Sequence, residues 1–282
     1  MKLNKRVLLM GLSLSVLSTM SFAEQASNAQ AVFNDAYQNY LNAVKTKENV
    51  QQAAEQAYTL GKSVYGDNSD NTANLAINYA KSINGYGKKW IEKRFSLYQQ
   101  AYTISVNNHG NKSLETVDSL VGMANFAPSA QKADYYLDQV IAIANTENKP
   151  KFLADMKLEA ATILANKFSY EKYREAKNYL EEADEYYQAN LPKNSVEQIK
   201  ADFLMASFAE GRKRYDQAIE RLNRVVKVFD ENLSYDHSAE LTAHSRLIGL
   251  YEKKGKSDEA TKHCIAIAKM VPWKESQEQT PL

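Results

Sequence analysis

Cysteine is almost absent from this chain, which has one, Cys264, among 282 residues. A single cysteine excludes an intramolecular disulfide and the paired-cysteine sites that hold structural zinc. The four histidines form no HExxH pair, and the sequence has neither a glycine-rich phosphate loop nor a GxSxG motif. We therefore expect no metal site, no cofactor and no enzymatic activity.

Proline and glycine are scarce, and neither sign of charge is in excess. Five prolines, ten glycines, 44% apolar and 24% charged residues are typical of an ordinary folded protein rich in helix formers. The 35 basic and 34 acidic residues give a formal net charge of +1. Because a nucleic-acid-binding protein normally has a basic excess, we expect no nucleic-acid partner.

Long apolar runs are also missing, except for a short one near the N-terminus. Lys2, Lys5 and Arg6 precede an apolar stretch over residues 7–17, and the small residues that signal peptidase accepts follow at 21–23. This pattern predicts a cleavable secretory signal over residues 1–23 and a periplasmic protein with no integral membrane segment. A retained anchor is the alternative, although the stretch is shorter than the roughly 20 apolar residues of a membrane span.

In place of these features the chain has a repeat. Four alanines, Ala133, Ala176, Ala218 and Ala260, are separated by 43, 42 and 42 residues. Apolar or small residues follow four and seven positions later, on the same helix face: Leu137, Leu180, Leu222 and Cys264, then Val140, Ala183, Val225 and Ile267. The same register continues backwards through Arg94, Tyr98 and Ala101 to Val50, Ala54 and Ala57. A period of this length predicts a solenoid of helix pairs, six in this chain.

A second comparison supports the two early units. Residues 57–80 match residues 101–124 at a constant offset of 44. The matched pairs are Gly66 and Gly110, Ser69 and Ser113, Thr72 and Thr116, and Ala80 and Ala124.

The sixth unit resembles a tetratricopeptide repeat (TPR). Residues 247–251, Leu-Ile-Gly-Leu-Tyr, precede Gly255 and Ala260, in the order of large apolar residue, aromatic, turn glycine and close-contact alanine. The fifth unit departs from this pattern, with Ala209 at the aromatic position and Lys213 at the turn glycine. The resemblance implies an all-α fold, a right-handed α-solenoid of about six antiparallel helix pairs. We expect it to span residues 24–272, followed by a polar tail over 273–282.

Three local features have simple interpretations. Ser195 and Gln198 have the spacing of a capping box, in which both side chains satisfy free amides at a helix start. Cys264, beside His263, could be a nucleophile, but adjacent helical side chains point about 100° apart. Its place in the repeat favours a buried, small apolar group instead. The basic cluster at 212–214 is interpreted as a solvated turn, with phosphate binding as the alternative.

TPR grooves are lined mainly by the first helix of each pair, whereas the tyrosines of this chain fall mostly on predicted second helices. Arg246 and Lys253 are seven residues apart on one stripe, where they would present paired positive charge to an acidic ligand or form a merely solvated stripe. None of the candidates reproduces the Lys/Asn/Arg clamp of some family members. The resemblance gives these candidate groove residues: Asn74 and Asn78 in unit two, Phe203, Ser207 and Glu210 in unit five, and Ser245, Arg246, Gly249 and Lys253 in unit six.

The sequence thus predicts a periplasmic, non-catalytic scaffold for protein–protein interaction, which binds a protein or peptide of the cell envelope. A second hypothesis comes from residues 270–282, which resemble the junction between the TPR region and the TonB domain in some TonB-family energy transducers. Under that hypothesis the chain is an accessory component or a truncated relative of a TonB-type system, with TonB-system components as partners.

Overall fold

A computed structural model of the chain describes residues 22–231 and 237–270, which form α-helices, one short 3-10 helix and no strand. The α-helices are α1 (Phe22–Thr46), α2 (Val50–Tyr65), α3 (Asp70–Ser82), α4 (Lys88–His109), α5 (Val117–Asn125), α6 (Ala130–Thr146), α7 (Pro150–Asn190), α8 (Val196–Gly211), α9 (Tyr215–Glu231), α10 (His237–Lys253) and α11 (Ser257–Met270). The 3-10 helix covers Leu114–Thr116. The all-α expectation is confirmed over these residues, while most of the predicted signal and all of the polar tail lie outside them.

The described residues form two compact bodies, one up to residue 84 and one from residue 85 onwards. In the first, α2 packs against both α1 and α3. In the second, helices that follow one another in sequence pack together from α4 to α11. Within the described residues no helix has the length and hydrophobicity that crossing a bilayer requires. The right-handed superhelix and the single 24–272 domain stay predictions.

The repeated alanines are buried in the second body. Ala133, Ala176 and Ala218 are fully buried and Ala260 is 5% exposed. The residues predicted to share their face are buried as well in units three to five: Leu137, Leu180 and Leu222, then Val140, Ala183 and Val225. The earlier marks Ala54, Ala57, Tyr98 and Ala101 are also buried. The period in the sequence therefore marks the helix face that packs.

The last unit departs from this rule. Cys264 is exposed, and Ile267 is only half-buried. The expectation of a buried Cys264 is thus wrong. The physical reason is position, because α11 packs against α10 and is the last helix that the structure describes.

Unit four consists of α7 alone, whose 41 residues fold back as two arms, 150–167 and 172–190. The Tyr187 hydroxyl donates to the Asp155 carboxylate at 3.0 Å, and Lys157 contacts Glu182. In a straight helix two residues 32 apart would be separated by about 48 Å. Residues 150–167 and 172–190 of α7 therefore supply the two members of a helix pair, as the repeat predicts.

The 44-residue offset of the early units is also a structural match. Gly66 and Gly110 both end a helix with positive φ, 83° and 88°, and both donate to the carbonyl four residues back. Thr72 and Thr116 are both fully buried, and their hydroxyls bond to carbonyls of the preceding turn.

A second repeated turn joins α8 to α9 and α10 to α11. Lys213 and Gly255 lie 42 residues apart and adopt left-handed φ values of 57° and 68°. Each next residue donates at 2.9 Å to an equivalent carbonyl, Arg214 to Ala209 and Lys256 to Tyr251. The fifth unit thus keeps the turn without its glycine, at a conformational cost of about 1–2 kcal/mol for a side chain in this region.

The start of α8 confirms half of the predicted capping box. The Ser195 hydroxyl accepts from the Gln198 amide at 3.2 Å. The Gln198 side chain, however, donates to the Tyr187 carbonyl at 3.0 Å instead of bonding back to Ser195. It therefore ties the start of α8 to the end of α7, where the Tyr187 carbonyl also accepts from the Leu191 amide at 2.9 Å.

Replacement of Ala218 by glutamate tests the alanine face. Because this site is fully buried, Ala218→Glu is expected to lower the free energy of unfolding by about 3–5 kcal/mol, the cost of an unpaired buried charge. Gln217→Glu, on the exposed face of the same turn, is the control and should change little. Equal melting temperatures for both variants would show that the alanine face is assigned wrongly.

A pair of glycine substitutions tests how close the helices come. A Cβ at Gly122 would lie 2.2 Å from the Tyr98 ring, whereas a Cβ at Gly249 has no atom within 4 Å. Gly122→Ala should therefore destabilise by about 1–3 kcal/mol through overpacking. Gly249→Ala, within α10, should stabilise by about 0.5–1 kcal/mol. Chemical denaturation measures both, and a gain in stability at residue 122 would contradict the close contact.

Candidate functional site

A surface cavity of the second body lies along the predicted first helices of units four, five and six. Its volume is about 690 Å³. It is lined by the first arm of α7, by α8, by Tyr187 from the second arm and by Arg246 from α10. We call this cavity the groove.

Two matching stripes of side chains form the walls of the groove. Each stripe has the spacing i, i+4, i+7 and i+11, which places four residues on one helix face. Every member of the second stripe lies 41 residues after its counterpart in the first. The stripes are Asp155, Glu159, Thr162 and Asn166 on α7, and Val196, Lys200, Phe203 and Ser207 on α8.

Four of the predicted groove residues come together at the α10 end of the groove. Arg246 binds the Glu210 carboxylate through Nε at 3.0 Å and through a terminal nitrogen at 2.7 Å. It also donates to the Phe203 carbonyl at 3.2 Å and to the Ser207 hydroxyl at 3.0 Å. The guanidinium carbon lies 5.8 Å from the Phe203 ring centroid. Phe203, Ser207 and Arg246 line the groove, and Glu210 holds the arginine in place.

The other predicted residues do not line the groove. Ser245 is exposed and donates to the Leu241 carbonyl of its own helix, and Gly249 faces open space. Lys253 is exposed, with its ammonium 5.8 Å from the Tyr215 ring centroid. In the first body, Asn74 is exposed and Asn78 is half-buried on α3.

The expected pair of free positive charges at Arg246 and Lys253 does not form, and this part of the prediction is corrected. The two residues do lie on one helix, but the Arg246 side chain is only 22% exposed and its charge is met by Glu210. Arg246 therefore joins unit six to unit five through its ion pair with Glu210.

A second charged cluster, which sequence reasoning missed, lies at the other end of the groove. The Lys151 ammonium bridges Asp155 at 3.0 Å and Glu197 at 2.7 Å, and so joins α7 to α8. The bond from Lys151 lowers the pKa of Glu197. Burial, followed by the charge of Asp155, raises the pKa of Tyr187, whose hydroxyl donates to Asp155. Unit four lacks the turn glycine of a TPR. The 41-residue match between the two stripes could nevertheless have identified its first helix as a wall of the groove.

A second cavity of about 530 Å³ lies between the second arm of α7, α8 and α9. Arg212 and Arg214 of the basic cluster line it, and Arg212 stacks on Tyr173 with its guanidinium carbon 4.3 Å from the ring centroid. Four acidic side chains line the same cavity: Glu181, Asp184, Glu185 and Glu220. Lys177, Arg221 and Arg224 line it too, so five basic and four acidic side chains are mixed there.

Buried charge in the second cavity holds three helices together. Arg221 on α9 bonds to Asp184 on α7 at 2.9 Å and to Asp202 on α8 at 2.8 Å. The two carboxylates are only 8% and 14% exposed. Burial raises the pKa of Asp202, and the bond from Arg221 opposes that shift.

One group of acidic side chains brings metal-type ligands together. Asp134, Asp138 and Glu175 place carboxylate oxygens within 4.8 Å of one another. Lys172 contacts Asp134 and binds Glu175 at 3.0 Å, so an ammonium already supplies positive charge. Burial raises the pKa of both Asp138 and Glu175. The cluster is therefore an ion-paired contact between α6 and α7.

The His263–Cys264 pair is split between two environments. His263 faces α10, where its Nδ1 lies 2.7 Å from Nδ1 of His244 and its ring stacks on Tyr251. Cys264 is exposed. The arrangement is that of a packed histidine beside a surface thiol.

Comparison with known proteins gives matches of structure alone. No protein-family model matches the chain, and no curated protein matches its sequence. A putative kinesin light chain from Podosopora anserina with nearly identical TPR-like repeats has a TM-score of 0.56 at 18% identity, over 72% of this chain and 95% of that chain. Another crystal structure of that protein gives 0.55 at 18% identity, over 70% and 92%. Acl4, the assembly chaperone of RpL4, gives 0.50 at 13% identity, over 85% and 91%. The fold is therefore a TPR-like helical repeat.

Substitutions at Arg246 and Lys253 separate a partnered residue from a surface one. Because Arg246→Ala leaves the partly buried Glu210 without its partner, it should lower stability by about 1–3 kcal/mol. Lys253→Ala should stay within about 0.5 kcal/mol, the usual range for surface changes. Urea denaturation measures both, and equal small effects would show that the contacts of Arg246 do not contribute to stability.

Proposed function

We propose that this protein is a non-catalytic scaffold that binds a segment of a protein partner in the groove. The observation that carries the proposal is the groove itself, with its matched stripes on two adjacent helices and Arg246 at the end. Its volume of about 690 Å³ falls within the range typical of ligand sites, roughly 300–1,000 Å³.

The chemistry of the groove supports a binding role. Apolar side chains such as Val196, which is 52% exposed, alternate there with polar and charged groups. Exposed apolar surface rimmed by polar residues is typical of interaction sites. The TPR-like fold supports a protein partner in particular, because stacked repeats create extended binding surfaces.

The proposed location is the periplasm, after export through the signal predicted over residues 1–23. The partner would then be a protein or peptide of the cell envelope. The TonB hypothesis depends on residues 270–282, of which the structure describes only Met270. Recovery of TonB-system components with the protein would favour it over the scaffold proposal.

Site-specific photocrosslinking in intact cells tests the proposed function. A photoreactive amino acid at Ser207, exposed in the groove, should yield a defined adduct that mass spectrometry identifies as an envelope protein. The same amino acid at Lys262, exposed on α11 and outside the groove, is the control. The same set of adducts from both positions, or no adduct from residue 207, would contradict binding in the groove.

A further inference from the structure

Three charged groups at the Lys151 end of the groove, Lys151, Asp155 and Glu197, are bound to one another, whereas Glu159 and Lys200, which also line the groove, are exposed. Lys151 has Asp155 and Glu197 within 3.0 Å, and the remaining contact of Asp155 is the Tyr187 hydroxyl at 3.0 Å. A ligand that bound Lys151, Asp155 or Glu197 by charge would compete with an existing ion pair. Such an exchange yields little net free energy, because one charged hydrogen bond replaces another.

Arg246, the residue most suited to hold a ligand carboxylate, has few free donors. A guanidinium has five N–H donors in a fixed plane. Four are used: two for Glu210, one for the Phe203 carbonyl and one for the Ser207 hydroxyl. The parallel pair of N–H groups that grips a carboxylate or phosphate in a bidentate manner is therefore not available.

The charge balance of the groove also disfavours an acidic ligand. The basic side chains in and beside it are Lys151, Lys200 and Arg246, and the acidic ones are Asp155, Glu159, Glu197 and Glu210. An acidic segment would thus meet a slight excess of negative charge.

The apolar side chains are what the groove offers to a ligand. Met156, Val196, Phe203 and Leu204 line it, and none of the four is fully buried. Removing apolar surface from water contributes roughly 25 cal/mol per Å². A partner that covers these side chains gains this free energy without breaking an ion pair.

We propose that the groove recognises its partner through uncharged, apolar anchor side chains, of the size of leucine, methionine or phenylalanine, and not through a carboxylate or a phosphate. This inference rests on the proposed function and specifies the chemistry of the segment that binds. The ion pairs at both ends of the groove hold the helices in place, and the apolar residues between them form the contact.

Selection of a random library of displayed 12-residue peptides on the purified full-length chain tests the inference. The selected peptides are synthesised, and fluorescence anisotropy gives their dissociation constants at 0.05 and 0.5 M NaCl. We expect peptides that share apolar residues, with dissociation constants that change less than threefold between the two salt concentrations. Charge-driven binding would weaken much more, because salt screens exposed charges.

Two matched variants locate the binding site. Val196→Glu places a charge in the groove, whereas Ile265→Glu places one on α11, outside the groove. The two residues are equally exposed, at 52% and 51%. Both are expected to keep the wild-type circular dichroism spectrum. Val196→Glu should weaken peptide binding at least tenfold, while Ile265→Glu should leave it unchanged.

The unfavourable outcomes are distinguishable. Acidic peptides whose affinity falls at least tenfold with salt and with Val196→Glu would overturn the apolar anchor and leave the groove as the binding site. Failure to select any peptide, or peptides insensitive to Val196→Glu, would overturn both this inference and the proposed function.

Discussion

Close contact between helices at alanine is the constraint on which the rest of the structure depends. Two helices approach closely only where one of them carries a small side chain, and neighbouring leucines and valines then fill the space beside it. Ala133, Ala176 and Ala218 have no exposed surface. Gly122 allows a similar close contact, because the Tyr98 ring lies in the space that the Cβ of any other residue would occupy. These contacts set the distance between helices, and that distance decides which side chains reach the groove.

Most of the fold can be predicted from the sequence because the residues that pack between helices recur at the period of the sequence repeat. The alanine spacing predicts the buried face in units three to five, and the 44-residue match predicts equivalent buried threonines and equivalent helix ends in the early units. The prediction fails at Cys264, since periodicity describes the inner units and not a helix packed on one side. It also does not foresee that Gln198 would bond to Tyr187, because that contact depends on how two helix ends meet.

The candidate site was less predictable, for a physical reason. Position within a repeat identifies the helix face, and Phe203, Ser207 and Arg246 line one groove in the structure. Whether a charge on that face is free depends on contacts between units, such as that of Arg246 with Glu210 across 36 residues. The i,i+4 spacing of Lys151 and Asp155 is a local pattern, but the second partner, Glu197, comes from the next helix, so the contact between α7 and α8 was missed.

The one-sided packing of α11 has a consequence for how the repeats open. In a stack where each unit contacts only its neighbours, stability is approximately a sum of unit and interface terms. Among the described helices, α11 shares a substantial interface with α10 alone, whereas α9 packs between α8 and α10. Local opening therefore requires least free energy at α11, whose backbone amides would be the first of this body's last repeats to exchange with solvent. The groove is built mainly on α7 and α8, and among its lining residues Arg246 alone comes from α10, the helix on which α11 packs.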